Sequence, residues 1–108
     1  MSFNIIAIEP FDKQLKRLCK KHISLKKDVT ELEEQLSKNP FIGSSIGSGC
    51  YKIRLAITSK GKGKSGGARI ITHVFIQKNI VYLITIYDKS EVADISDKEV
   101  KKLLDFLK

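Results

Sequence analysis

The sequence predicts an α+β domain with the order β-α-α-β-β-β-α. It is a small, mostly antiparallel sheet with a helical hairpin and a C-terminal helix. Three observations point there. Segments 11–22 and 25–36 repeat apolar residues at helical spacing. Segments 50–58, 68–76 and 80–87 are rich in β-branched and aromatic residues. Those three runs also follow one another closely, as hairpin-linked antiparallel strands do, so the helices are expected on one face of the sheet.

Residues 3–8 are apolar and isoleucine-rich and read as a first strand. Glu9-Pro10 ends it, because proline cannot donate to a ladder but suits the first turn of a helix. Phe11, Leu15, Leu18 and His22 then mark one helical face, with Lys13, Lys16, Arg17, Lys20 and Lys21 on the others. Ser24 is placed to cap a second helix, whose buried stripe is Leu25, Val29, Leu32 and Leu36. The short connection between them predicts an antiparallel helical hairpin. Asn39-Pro40 closes it. Residues 41–49 are rich in glycine and serine and read as a loop. After the three strands, Ser96 with Glu99 forms a capping box. It opens a final helix with Val100, Leu103, Leu104 and Leu107 on its buried side.

Side-chain alternation assigns the faces. In the first of the three strands Tyr51, Ile53, Leu55 and Ile57 form the core set, so Lys52 and Arg54 point away. In the next, Ile70, Val74 and Ile76 face the core, and Arg69, Ile71 and His73 face out. In the last, Ile80, Tyr82, Ile84 and Ile86 face the core, leaving Thr85 and Tyr87 outward. These choices agree if the final hairpin loop is 77–79, with Asn79 in the left-handed conformation. Lys52, Arg54, Arg69, His73, Thr85 and Tyr87 then line one open face, overhung by the loop carrying Lys60, Lys62 and Lys64.

Composition narrows the function. The 108 residues carry a net charge of +8 and are read as one domain, 1–108. No acid lies between Glu34 and Asp88, a span that holds Lys38, Lys52, Arg54, Lys60, Lys62, Lys64, Arg69 and Lys78. The remaining 12 basic and 12 acidic residues cancel, so the excess charge sits in one region. Concentrated positive charge suits a polyanion, because neutralised phosphates release counterions. No apolar run approaches the ~20 residues of a bilayer span. Residues 1–8 are too short, and lack the basic flank, for a signal peptide. Cys19 and Cys50 form no Cys-x-x-Cys pair, and His22 and His73 lack ligand-spaced partners. Two reduced thiols in a cytoplasmic protein, with no metal and no cofactor, are therefore expected.

Gly63-Lys64-Ser65 matches only the end of a phosphate-binding P-loop. Thr58 stands where that motif needs its first glycine, and a strand follows where it needs a helix, which argues against a nucleoside triphosphate. The 60–69 loop is instead expected to hold an anion, with Gly66 and Gly67 letting its backbone pack closely against a ligand. The bland reading of the same loop is a solvated hairpin tip. His73 reads as a strand residue before it reads as a base, and Tyr87 as a packing residue before a stacking platform. His22 reads as a helix end, and the lysines of the first helix as a solvated face.

Further residues carry a resemblance. They are Phe11-x-Lys13-x-x-Lys16-x-Leu18, Leu25-x-x-Asp28, Asn39-Pro40-x-x-Gly43, Tyr51-Lys52-Ile53-Arg54, Gly63-Lys64-Ser65-Gly66-Gly67-x-Arg69 and Ile86-Tyr87-x-Lys89. Together they resemble toxins of the RelE/ParE superfamily, near the HigB-like and RelE-like branch, over nearly the whole chain. The segment from Tyr51 to Arg69 is the most specific part. The resemblance implies a type II toxin–antitoxin toxin that cleaves messenger RNA on the ribosome without a metal. Its partners would be a cognate antitoxin, the ribosome and mRNA. ParE-like relatives inhibit DNA gyrase instead, and a non-catalytic nucleic-acid-binding module is a further alternative. By the family pattern the work falls to Arg54, Lys60, Lys62, Lys64, Arg69 and Lys89. Some relatives use a C-terminal tyrosine; none follows Tyr87 here, so Tyr87 fills that role or nothing does.

In the mechanism so implied, a ribose 2′-hydroxyl attacks the adjacent phosphate. Arg69, always charged and forked, suits the phosphorane. Lys62 or Lys64 is the candidate base, because neighbouring like charges favour losing a proton. Arg54 completes the catalytic set, with Lys52, Lys60, His73, Tyr87 and Lys89 as RNA contacts.

Overall fold

The computed structural model describes residues 2–107. The elements are β1 (Asn4–Ala7), α1 (Glu9–Cys19), α2 (Leu25–Lys38), β2 (Ser44–Gly47), β3 (Cys50–Leu55), β4 (Ala68–Phe75), β5 (Ile80–Asp88) and α3 (Asp97–Leu104). They form one five-stranded sheet in the order β1-β5-β4-β3-β2. Only β1 runs parallel to its neighbour, β5. The other pairings are antiparallel. The architecture is the α+β arrangement expected, with one added strand.

That strand is β2, inside the segment read as a loop. Its Ser-Ser-Ile-Gly sequence offers a single apolar side chain, so alternation gave no signal. Pairing with β3, from Ser44 opposite Lys52 to Gly47 opposite Cys50, creates it. β3 is shorter than expected: it ends at Leu55, and the chain turns through a 3₁₀ segment, Thr58–Lys60.

The helical hairpin covers one face. Phe11 and Leu18 of α1 and Leu25, Val29, Leu32 and Leu36 of α2 pack on Ile53, Ile57, Ile70, Val74, Val81, Leu83 and Ile86. Ser24 stands at the N-cap position of α2, but its hydroxyl donates to Asp28 Oδ2 at 2.8 Å instead of capping the backbone. The second face is covered too, contrary to the expectation that all helices share one side. Val100, with Leu103, Leu104 and Leu107 around it, packs on Cys50, Ile71 and Ile84. Ile71 supplies the reason: an outward isoleucine in a central strand needs cover. Ser96 caps α3, accepting from the Glu99 amide at 3.1 Å.

The last hairpin departs from expectation in two compensating ways. Its loop is 76–79, closed by Phe75 opposite Ile80, one residue longer than predicted. Asn79 takes the left-handed conformation as expected, with φ 55°. A bulge at Ile84 absorbs the extra residue: Thr72 pairs Leu83, while Ile71 pairs Thr85. Beyond the bulge Ile70 meets Ile86 and Arg69 meets Tyr87, the predicted register. Before it, Val81 and Leu83 take the inner face. Tyr82 and Ile84, predicted inward, belong to the α3 side.

Candidate nucleic-acid interface

One end of the sheet gathers the cations. Arg54 lies opposite Arg69, and Arg69 opposite Tyr87, so β3, β4 and β5 present the three as one row. Strand spacing separates neighbours in such a row by ~4.8 Å. Arg54 is exposed, because β2 pairs with β3 only as far as Lys52. Arg69 is only 6% exposed. Its Nη1 donates to Lys64 O at 2.9 Å and to Ala68 O at 3.1 Å. Nε and Nη2 have no acceptor among the described residues, and neither is fully sealed from solvent. The guanidinium is thus fixed on one side by two carbonyl oxygens, with donors to spare on the other.

The basic loop is anchored. Lys60 Nζ donates to Asp88 Oδ1 at 2.8 Å, to Gly66 O at 2.9 Å and to Ser90 Oγ at 3.3 Å. Lys60 therefore ties both limbs of the loop to the end of β5 and does not overhang the face as a free cation. Asp88 is 3% exposed. It also accepts from the amide and hydroxyl of Ser90, and lies 3.0 Å from His22 Nε2. Burial alone would raise the Asp88 pKa; the hydrogen bonds from Lys60, Ser90 and His22 outweigh it and hold the carboxyl well below the usual range. Gly67 is needed for close approach to the protein's own backbone: a Cβ there would sit 2.1 Å from Leu55 O. A bound ligand is not what makes that position glycine. Lys62 and Lys64 are exposed, and neither they nor Arg54 and Lys89 form an ion pair among the described residues.

The segment between β5 and α3 takes up other basic groups. Asp94 Oδ1 accepts from Lys52 Nζ at 2.7 Å, from the Tyr87 hydroxyl at 3.2 Å and from the Ile95 amide at 2.8 Å. Burial first, then the Asp94 charge, pushes the Tyr87 phenol up to about 12, so it remains a donor at neutral pH. Glu91 binds Arg17 at 3.0 Å and Lys21 at 2.6 Å, and these two hydrogen bonds lower its pKa to about 2.

His73 shares a face with Arg54 and Arg69, as predicted, but not a site. Four residues of strand put it ~13 Å from Arg69. It stacks on Tyr82, with Cys50 Sγ 3.7 Å from its Nδ1. Ile71, under α3, separates it from the cationic row. The open six-residue face expected from alternation is thus divided. Among the described residues no cluster of His, Cys, Asp or Glu could hold a metal ion. Sequence reasoning missed Asp88, His22 and Asp94; the one available hint was that Asp88 is the acid ending the acid-free span.

The model of the RelE toxin of the RelE/RelB toxin–antitoxin system matches residues 10–107. The chain belongs to the RelE toxin family. Solved structures agree in fold. A mutant of the E. coli toxin RelE in the free state superposes with a TM-score of 0.67 at 18% identity, over 94% of this chain and 98% of that one. The toxin–antitoxin complex RelBE2 from Mycobacterium tuberculosis gives 0.61 at 15% identity, over 82% and 99%. A mutant of the E. coli toxin RelE in complex with an antitoxin RelB peptide gives 0.54 at 26% identity, over 86% and 92%. No helix among the described residues is long and apolar enough to cross a membrane.

Proposed function

We propose that this RelE-family toxin is a ribosome-dependent, metal-independent mRNA endoribonuclease. The observation that carries the reading is the gathering of Arg54, Arg69, Lys62 and Lys64 at one end of the sheet, with no ion pair among the described residues and with one arginine preset by Lys64 O. In the proposed reaction the 2′-oxygen bonds to the adjacent phosphorus and the 5′-oxygen leaves. The hydroxyl proton passes to a lysine amine, Lys62 or Lys64, and a proton returns to the leaving oxygen. The products are a 2′,3′-cyclic phosphate and a 5′-hydroxyl. Arg69, with its fork held on one side, stabilises the phosphorane, and Arg54 neutralises a neighbouring phosphate. Lys89 and Lys52 extend the track. Lys60 acts through the loop it holds, and His73 lies outside the contact. The ribosome orients the message, which accounts for a site with so few acid–base groups.

The proposed partners are the ribosome and mRNA during cleavage and a cognate antitoxin in the inhibited state. Complexes of RelE toxins with RelB antitoxins among the structural neighbours support that last assignment. Acidic groups on such a partner would suit the basic loop. Purified protein added to translating ribosomes tests the activity. New mRNA 5′ ends are expected. Their absence, with linearisation of supercoiled DNA in the presence of gyrase, would replace this reading with a ParE-like one.

A further inference from the structure

We infer that Asp94 occupies a phosphate subsite of this interface. Lys52 Nζ and the Tyr87 hydroxyl, which now donate to its carboxylate, turn to a phosphodiester oxygen when single-stranded RNA enters. The inference rests on the reading above that RNA is the ligand. A carboxylate and a phosphodiester each spread one negative charge over two oxygens, so donors arranged for one serve the other. Both donors come from the sheet, whereas Asp94 comes from the connecting segment. Lys52 is on the same side of β3 as Arg54 and two residues away, about 6.6 Å along the strand. One RNA strand can therefore place a phosphate at each.

Asp94 is also the easier group to move. Its side chain is 62% exposed, against 29% for Lys52. An ion pair so open to water adds little to stability, so releasing it costs little. Its contact with the Ile95 amide joins adjacent residues near the surface, so water replaces it when the carboxylate swings out. Beside it lies a cavity of about 410 Å³ whose lining includes Arg17, Tyr87, Val92, Asp94, Ile95 and Ser96. Glu91 repeats the arrangement at the other end of the segment by holding Arg17 and Lys21 of the helical hairpin. The segment between β5 and α3 thus supplies two anions to basic groups of the body, and RNA must displace at least Asp94.

The test is binding of a 2′-O-methyl RNA oligonucleotide, which cannot be cut, followed by fluorescence anisotropy at fixed salt. It uses the full chain as wild type, Asp94→Asn, Lys52→Ala and the double variant. Asp94→Asn is expected to bind about fivefold tighter, the scale of one exposed ion pair released. The gain should vanish when Lys52 is already alanine. Thermal unfolding of each variant confirms a folded protein. Unchanged or weaker binding by Asp94→Asn, or a gain that persists without Lys52, overturns the subsite. The cleavage assay stands apart: a positive cycle with no cleavage leaves the subsite and removes the nuclease, and cleavage with a flat cycle does the reverse.

Discussion

Asp88 shows how one side chain sets the site without belonging to its chemistry. Removing it leaves the Lys60 ammonium, 17% exposed, without its carboxylate. Asp88→Ala is therefore expected to destabilise the protein by about 3 kcal/mol, measured by urea unfolding. The pH dependence has a definite sign. The folded-state pKa of Asp88 lies below its ordinary value of 3.8, so its contribution is complete above that value and is lost as pH falls below it. Stability should drop steeply below about pH 4 in the wild type and less so in Asp88→Asn. Arg69 makes a different case. Arg69→Ala loses the bond to Lys64 O as well as the proposed phosphate contact, and should cost about 1–2 kcal/mol while abolishing cleavage. Arg54→Ala should abolish or strongly reduce cleavage with stability within about 0.5 kcal/mol of wild type. Residue identity was legible here: Arg54, Arg69, Lys62 and Lys64 stood out from the acid-free span. The anchoring was not, because nothing in the sequence links Asp88 to Lys60 or Asp94 to Lys52 before the strands are aligned.

At the scale of elements, α3 and the last hairpin decide what the outer face can do. α3 has only eight residues, too few to persist alone, and holds its place by packing Val100 on Cys50, Ile71 and Ile84. Loss of its cap in Ser96→Ala should cost about 1 kcal/mol in urea unfolding. An unchanged midpoint would mean that packing alone defines the helix start. The position of α3 was hidden from sequence because Ile84 read as part of the hairpin-covered core and left Ile71 as a lone outward isoleucine, with no partner to mark a second core. Alternation distinguishes two faces but does not say that both are covered. The hairpin taught the complementary lesson. A longer loop and a bulge at Ile84 cancel, so the predicted pairing of Arg69 with Tyr87 survived an error in the loop. β2 was illegible for a simpler reason: four residues with one apolar side chain take their conformation from β3.

Across the whole molecule, charge is placed asymmetrically about a neutral body. Arg17, Lys21 and Lys52 pair with Glu91 and Asp94 of the connecting segment, whereas Arg54, Lys62 and Lys64, with no ion pair among the described residues, cluster where three strands end. This asymmetry should guide the antitoxin. Association rates measured across a salt series should fall steeply with ionic strength, and less steeply when Lys62 and Lys64 are both replaced by Gln. Lys60 is left out of that pair because it holds the loop. Identical slopes for the two proteins would place the antitoxin on another surface. The central claim is the chemistry itself, attack by a ribose 2′-hydroxyl within this cationic row. Its most direct measurement uses a message first mapped for cleavage on translating ribosomes and then resynthesised with one 2′-deoxy residue on the 5′ side of the cut. The account predicts that the all-ribose message is cut to a 2′,3′-cyclic phosphate and a 5′-hydroxyl, and that the deoxy message survives at that position. Equal cutting of both messages would contradict it.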